Sequence, residues 1–349
     1  MENRIKRTYI CKDIDVHVID PMLTDGYRPD VGDVAVFEIL SIGKHKIIQG
    51  DDKRNITIVP GDWIMAAFGT RYATEQFEGY VPDHLNQDLH ILGAGGTIGI
   101  VASMHEKFKT VGPTVIRFKG LVRDNFGRII NTKSICKKQL PLFTGSAAAA
   151  TRVVLSLGAS MDSGKTTTAA YLVRGLKNAG FRVAFVKLTG TIYTKDTDLA
   201  YDLGADAVSH FGDFGYPSTY MCTEEELLNL YEGTLQKVLA TNPDYVIMEI
   251  ADGLYERETK MLLNCNKFKS TVEALFFSAG DSLAAINGIQ TLHKWNLFPI
   301  GISGLLTTSP LLIREVEENT YVPVYRIDQL ANGNIARYLL SPETMHATN

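Results

Sequence analysis

Up to about residue 150 the apolar positions come in short runs closed by turn formers. Val34–Leu40, Asn55–Val59, Asp62–Phe68, Gly99–Ala102 and Thr114–Phe118 are such runs, and Gly50-Asp51-Asp52, Pro60-Gly61-Asp62 and Asp124-Asn125-Phe126-Gly127 punctuate them. Runs of this length and spacing predict the strands of a small barrel or sandwich, with no long helical period among them. From residue 151 the pattern alternates. Thr151–Leu157, Arg182–Leu188, Tyr245–Ile250, Val272–Ser278, Phe298–Leu305 and Val322–Arg326 predict strands. Lys165–Ala179, Thr223–Thr241, Glu258–Leu263 and Asp281–Trp295 predict helices. Thr223 with Glu226 three residues on is a capping-box pattern at the start of the longest of these helices. Strands alternating with helices imply right-handed crossovers and a mostly parallel sheet flanked by helices. The expected division is a smaller β-rich domain over residues 1–140, a linker over 141–150 rich in small residues, and an α/β domain over 151–349.

Composition supports two ordinary globular domains. The chain has 349 residues, of which 45% are hydrophobic and 21% charged, and single cores usually stop growing near ~250 residues. Lys and Arg number 35 against 39 Asp and Glu, a net charge of −4. A protein that neutralises nucleic-acid phosphates normally carries a basic excess, so a nucleic-acid partner is not expected. No window reaches the ~18 apolar residues of a membrane helix, and the first twenty residues hold no apolar core of signal-peptide length. The four cysteines, Cys11, Cys136, Cys222 and Cys265, form no CxxC pair. A cytoplasmic location follows as the expectation.

The clearest chemical signal is Ala159-Ser160-Met161-Asp162-Ser163-Gly164-Lys165-Thr166, with Gly158 before it and Thr167 after. It fits the relaxed Walker A pattern of a phosphate-binding loop, set between a predicted strand and a predicted helix. In such a loop backbone N–H groups and the helix N-terminus face an anion. Gly164 allows close approach of the backbone, Lys165 reaches the phosphates from a solvated loop, and the Thr166 hydroxyl ligates Mg²⁺. The competing reading is a plain strand-to-helix turn with a chance lysine. A second acidic group for the metal is expected at the C-terminal tip of a parallel strand. Glu249, ending Val246-Ile247-Met248-Glu249, is the first candidate, and Asp252 the next; the bland alternatives are a solvated Glu249 and a helix-capping Asp252. Lys187 at the tip of Val186-Lys187, expected beside the P-loop strand, is a candidate for neutralising a transferring phosphoryl group. Thr189 and Gly190 follow it and could face a small acceptor. The acidic stretch that includes Lys195-Asp196-Thr197-Asp198 is either a metal or substrate loop, with Asp198 singled out, or a solvated one. Arg257 is either an anion clamp or a helix-surface partner of Glu256 or Glu258.

Taken together, the P-loop, Lys187-Leu188-Thr189-Gly190, Glu249-Ile250-Ala251-Asp252-Gly253 and Leu283-Ala284-Ala285-Ile286-Asn287-Gly288 resemble dethiobiotin synthetase and its relatives. Those relatives include the nucleotide-binding protein of molybdopterin-guanine dinucleotide synthesis. The resemblance covers about 151–330. It implies a P-loop NTPase fold, ATP and Mg²⁺ as cofactors with GTP possible, and phosphoryl transfer to, or ligation of, a small-molecule substrate. The segment EIADG departs from the family's EGAGG, Gly288 stands where the family has histidine, and Leu306-Thr307-Thr308-Ser309 replaces its base-reading asparagine. The substrate is therefore expected to differ. Asp206–Gly215 also resembles uncharacterised P-loop proteins with an extra N-terminal domain. A regulatory or cofactor-biosynthesis NTPase is the alternative function, and a polynucleotide 5′-hydroxyl kinase the third. A homodimer is the expected assembly. In the N-terminal half, Gly93-Ala94-Gly95-Gly96-Thr97-Ile98-Gly99 is read as a glycine-rich hairpin, because no βαβ unit surrounds it. His84, His90 and His105 lack the spacing of a helical zinc pair.

Overall fold

The computed structural model describes residues 4–14, 17–21, 26–85, 87–136 and 140–340; residues 341–349, assigned from sequence to the α/β domain, lie outside these. Two compact units make up the chain. One comprises Met1–Leu140 with Gly190–Thr194 and Phe211–Met221, the other Pro141–Thr189, Lys195–His210 and Cys222–Asn349. The chain therefore leaves the second unit twice, at 190–194 and at 211–221, which the pattern of apolar positions did not announce. No helix among the described residues is long and apolar enough to cross a membrane.

The first unit is built on β1 (Ile5–Arg7), β2 (Val18–Asp20), β3 (Val34–Ser41), β4 (Ile47–Gln49), β5 (Asn55–Thr57), β6 (Trp63–Phe68), β7 (Phe77–Tyr80), β8 (Leu89–Gly93), β9 (Thr97–Met104) and β10 (Val115–Arg123). Strands β6, β3, β10, β8 and β9 follow one another by antiparallel pairing. The ring closes where β6 and β9 run parallel, with Ala67 opposite Thr97 and Phe68 opposite Ile98. Of barrel and sandwich, the barrel is what forms, and closure removes the exposed edges that an open sheet of these short strands would carry. Its interior is filled by Phe37, Ile39, Ile64, Phe68, Ile91, Ile98 and Leu121, all buried. Phe37 and Phe68 meet edge to face at 5.4 Å. The glycine-rich segment is the expected hairpin: β8 and β9 pair antiparallel around a turn at 94–96. Gly96 there has φ +108°, and a Cβ on Gly95 would stand 2.2 Å from the Ile192 carbonyl oxygen. A side chain is thereby excluded at Gly95 and disfavoured at Gly96.

The second unit carries six parallel strands in the order β13-β12-β14-β11-β15-β16. These are β11 (Arg152–Gly158), β12 (Val183–Lys187), β13 (Ala207–His210), β14 (Tyr245–Glu249), β15 (Val272–Ser278) and β16 (Gly301–Ser303). Their central residues are buried on both faces, as helices covering both sides of a parallel sheet require. Helix Lys165–Asn178 turns Ala169, Leu172, Val173 and Leu176 onto Val154, Phe185, Ile247 and Phe276. That 3–4 spacing is one helical face. Helix Glu224–Leu239 begins with the capping box expected from sequence: the Thr223 hydroxyl accepts from the Glu226 N–H at 3.2 Å, and the Glu226 carboxylate accepts from the Thr223 N–H at 3.0 Å.

Three expectations differ from the structure. The strand expected at 298–305 spans only Gly301–Ser303. Val322–Arg326 contributes a single bridge, Val324 to Ile302, because Pro323 has no N–H to extend a ladder. The acidic stretch after Lys187 contains a helix, Lys195–Asp202, with Asp196 and Asp198 in its first turn, where they complement the helix dipole. Strand β13 follows it and went unread.

Residues 141–150, expected to be a linker, hold a helix at Ser146–Ala149. The cause is Glu232, fully buried on helix Glu224–Leu239. Its carboxylate accepts from the Thr144 hydroxyl at 2.9 Å, the Ser146 hydroxyl at 3.0 Å, and the N–H groups of Gly145 at 2.9 Å and Ala147 at 3.1 Å. Burial alone would raise its proton affinity, but these bonds outweigh it and hold the carboxyl below the usual range. A carboxylate with lowered folded affinity for protons stabilises the fold above its unfolded value, and that gain is lost as pH falls. Glu232→Ala strips five donors of their acceptor, the Thr144 N–H at 3.4 Å among them, and is expected to cost about 3 kcal/mol. Urea unfolding at pH 7 measures the loss, and the wild type should lose its advantage over the variant on acidification below about 4.5.

Candidate functional site

Strand β11 ends at Gly158, and helix Lys165–Asn178 begins seven residues later. The loop between them is held from both neighbouring tips. The Ala159 N–H donates to the Ser278 carbonyl at the end of β15 at 2.9 Å, and the Leu305 N–H, past β16, donates to the Ser163 carbonyl at 3.1 Å. Beneath the loop the Ser156 hydroxyl donates to the Lys165 carbonyl at 2.9 Å, and the Ser278 hydroxyl donates to the Thr168 hydroxyl at 3.0 Å. Two glycines are demanded by space. A Cβ at Gly158 would stand 2.2 Å from the Ser163 Oγ, and one at Gly164, at φ +95°, only 2.9 Å from the Gly304 Cα. Asp162 takes the left-handed conformation, φ +57°, at the turn of the loop. Ser160, Asp162 and Thr167 are exposed, while Ala159 and Met161 are half-buried.

Lys165 is not at a solvated position. It is 6% exposed, and its Nζ donates to the Ser160 carbonyl at 3.1 Å, so the side chain folds back over its own loop. Burial lowers its affinity for a proton, against the pull of the Glu249 and Asp252 carboxylates. Thr166 donates its hydroxyl to Glu249 Oε1 at 3.0 Å. Glu249 is 2% exposed, and its Oε2 is buried with no partner among the described residues, as is the Ser163 hydroxyl. Burial, and then the Asp196 carboxylate, push the Glu249 acid up to about 7, while Lys187, Lys165 and Thr166 pull it down.

The lysine at the tip of β12 is placed differently from expectation. Its strand does not neighbour β11: β14 lies between them, in the register Lys187 opposite Glu249 opposite Ser156. Sequence pattern marks strands but not their lateral order, which is set by where the crossover helices pack. Lys187 is 8% exposed and forms an ion pair with Asp196. Burial opposes its charge, but Asp196, Glu249 and Asp252 together hold its proton affinity above the usual range. The partner is Asp196 where the sequence points to Asp198, and two helical positions apart means about 200° around the axis. The signal that could have found Asp196 is an acidic residue in the first turn of a helix reached directly from the Lys187 strand.

The remaining candidates are distributed. Thr189 is buried and its hydroxyl accepts from the Ala251 N–H at 2.9 Å, which ties the loop after β12 to the loop after β14. Asp252 sits in that second loop at φ +61°. Beside it a Cβ on Gly253 would stand 2.6 Å from the Ala159 carbonyl oxygen, so the Glu249 loop lies flush on the P-loop. Gly190 belongs to the β-rich unit, where its N–H donates to Thr219 Oγ1 at 2.9 Å. Arg257 pairs with the buried carboxylate of Glu258 and donates to the Cys222 carbonyl at 2.8 Å, so its partners here belong to the protein itself. No group of three or more His, Cys, Asp or Glu side chains among the described residues is placed to hold a metal.

The donor set fits a phosphate group and a magnesium ion. The Gly158 and Gly164 positions admit no side chain, the loop opens a 14-residue helix, and an unpartnered carboxylate oxygen on Glu249 adjoins the Thr166 hydroxyl. A hydroxyl and a carboxylate are the hard oxygen ligands that Mg²⁺ takes alongside water and phosphate. Fold and site together define a P-loop α/β unit joined to a β-barrel.

No protein-family model matches the sequence, and neither does any curated protein. Among solved structures the chain is similar to the signal recognition particle receptor FtsY from Elizabethkingia anophelis, at 13% identity, TM-score 0.37, over 57% of this chain and 67% of that one. It is also similar to a DUF1611 family protein from Anabaena variabilis, at 17% identity and TM-score 0.39, over 57% of this chain and 60% of the other's length. The hydrogenase maturation factor HypB from Archaeoglobus fulgidus overlaps at 10% identity and TM-score 0.36, over 60% and 98% respectively. Overlaps this partial, at identities this low, say nothing about substrate or reaction.

Proposed function

We propose that the protein is a Mg²⁺-dependent enzyme that uses a nucleoside triphosphate, transferring its terminal phosphoryl group to a small metabolite or activating that metabolite for ligation. The observation that carries this reading is the row Ser156–Glu249–Lys187 across the strand tips, with Lys187 buried and charged beside the Thr166–Glu249 pair. A buried lysine held cationic by three carboxylates is a fixed positive charge, and fixed charges aimed at developing negative charge are what phosphoryl transfer uses. Backbone N–H groups of 159–166 and Lys165 would hold the phosphates. Thr166 and Glu249, with Asp252 nearby, would hold the metal, which when bound neutralises phosphate oxygens. Lys187 would stabilise the migrating group, and Asp196 keeps its ammonium in position. ATP is the expected nucleotide, with GTP the alternative. The small-molecule acceptor, the cytoplasmic location and the homodimer belong to the same proposal.

A regulatory NTPase is the second reading, favoured by the Lys187–Asp196 ion pair, which could be purely structural. A polynucleotide kinase is disfavoured by the net charge of −4. Steady-state phosphate release, with and without pools of small metabolites, separates the two. Lys187→Ala should lower the metabolite-stimulated rate by ~10²–10³ and leave the unstimulated rate alone. If neither rate moves, Lys187 is structural and the regulatory reading stands.

A further inference from the structure

The β-barrel unit holds a part-buried lysine between two aromatic rings, sharing an acceptor with an arginine. Lys44 lies in the loop between β3 and β4. Its Nζ stands 5.5 Å from the ring centre of Phe77 and 5.6 Å from that of Phe108. It lies 3.4 Å from His45 Nε2, and donates to the side-chain oxygen of Gln76. That same oxygen accepts from Arg71 Nη2 at 2.7 Å. A guanidinium and an amine thus converge on one amide oxygen. Lys107 is the third basic group, 5.6 Å from the Phe108 ring; it pairs with Glu75 at 2.7 Å, and Glu75 also meets His105 at 3.5 Å. His45 is itself buried, with Nδ1 lacking a partner among the described residues.

Burial, with repulsion from Arg71 and Lys107 added, pushes the Lys44 ammonium down to about 7. Burial, Lys44 and Arg71 hold His45 well below the usual imidazole range, so its ring stays neutral. The Phe77 and Phe108 ring faces, both within 6 Å of Nζ, pull the other way and favour the cation. Lys44 is part-exposed, so a small electrophile can reach it. The charges decide which electrophile. An aldehyde would leave an iminium cation beside Arg71, which the same repulsion disfavours. Carbon dioxide leaves a carboxylate, which Arg71 attracts.

We propose that Lys44 is a carbamylation site, its amine adding carbon dioxide and the carbamate being held by Arg71. The nitrogen lone pair forms the N–C bond, one C=O electron pair moves onto oxygen, and the displaced N–H proton passes to water. No electrons are gained or lost overall, and carbon dioxide is the sole co-reactant.

The test uses the full chain at pH 7.5 with ¹³C-bicarbonate as the probe. A carbamate resonance is expected in the wild type and absent from Lys44→Arg and from Lys44→Met, the second variant guarding against misfolding of the first. Alkylation of the carbamate followed by peptide mass spectrometry should locate it on Lys44. Without bicarbonate, competitive amine labelling should half-modify Lys44 near pH 7, where an ordinary lysine needs about 10.5. A folded wild type with no adduct on the Lys44 peptide at saturating bicarbonate overturns the proposal. So does labelling that titrates near 10.5, or an adduct that forms only with a small aldehyde and borohydride.

Discussion

Lys165→Ala should bring nucleotide turnover to background, a loss of at least ~10²–10³, with the protein still folded. The two halves of this result have separate causes. Turnover fails because the loop at 158–166 supplies backbone N–H groups but only one side-chain cation from within the loop, and that cation is Lys165. Folding survives because a buried ammonium with lowered proton affinity is a liability to the native state. The sign follows from linkage: a base whose folded affinity for protons is depressed contributes stability above its unfolded value and loses it as pH falls. At pH 7 the wild type therefore bears the cost of keeping Lys165 charged at 6% exposure. Lys165→Met, which keeps most of the volume beside Gly158, should melt at or above the wild-type temperature while being as inactive as the alanine variant. Phosphate release and a thermal melt on the same samples check both. Undiminished turnover in either variant would remove the P-loop assignment.

The parts of this site that sequence disclosed are the contiguous ones. Gly158 to Thr167 is a single stretch whose geometry is dictated locally, by two glycines with no room for a Cβ and by a helix that starts at Lys165. Glu249 was legible because an apolar run ending in a carboxylate is a strand tip wherever it lies in a parallel sheet. The lateral order of strands was not legible. Nothing within Arg182–Leu188 says that β14 will pair with it on one side and with β11 on the other, since all three runs are equally apolar and the choice is made by helix packing. Asp196 was hidden for a related reason: its meaning depends on Lys187, nine residues earlier, and on a short helix whose polar composition resembles a loop. The segment 141–150 looked like a linker because its own residues are small and polar, while the group that orders it, Glu232, is more than eighty residues away. The segments 190–194 and 211–221 joined the barrel unit through partners such as Gln49, which bonds Thr194 at 2.7 Å. No local pattern encodes that pairing.

Glu249→Gln should separate binding from chemistry. The substitution keeps the size of the side chain and an oxygen able to accept from Thr166, so the 3.0 Å bond that fixes the loop against β14 can persist. What it removes is the negative charge and the second carboxylate oxygen, which is buried without a partner. Left unmet, a buried oxygen costs about 1–3 kcal/mol, and a divalent cation bridging to phosphate is the group that the neighbouring hydroxyl and loop would admit. Protein stability should not fall. Burial and the Asp196 carboxylate push this carboxyl up to about 7, so its charge carries a cost at neutral pH that the amide does not. Nucleotide affinity measured without Mg²⁺ should stay within a few-fold of the wild type, because the loop N–H groups and Lys165 are untouched. The Mg²⁺-dependent increment in affinity should shrink, and turnover should drop by ~10²–10³, the scale for losing one preorganised charge at a phosphoryl-transfer site. Calorimetric titration with a non-hydrolysable nucleotide at several Mg²⁺ concentrations resolves the two effects. An unchanged Mg²⁺ dependence in the variant would mean that Glu249 takes no part in the metal shell. The second acidic group would then have to be sought at Asp252, in the left-handed turn that follows β14, or at Asp196, whose carboxylate the Lys187 ammonium would have to release.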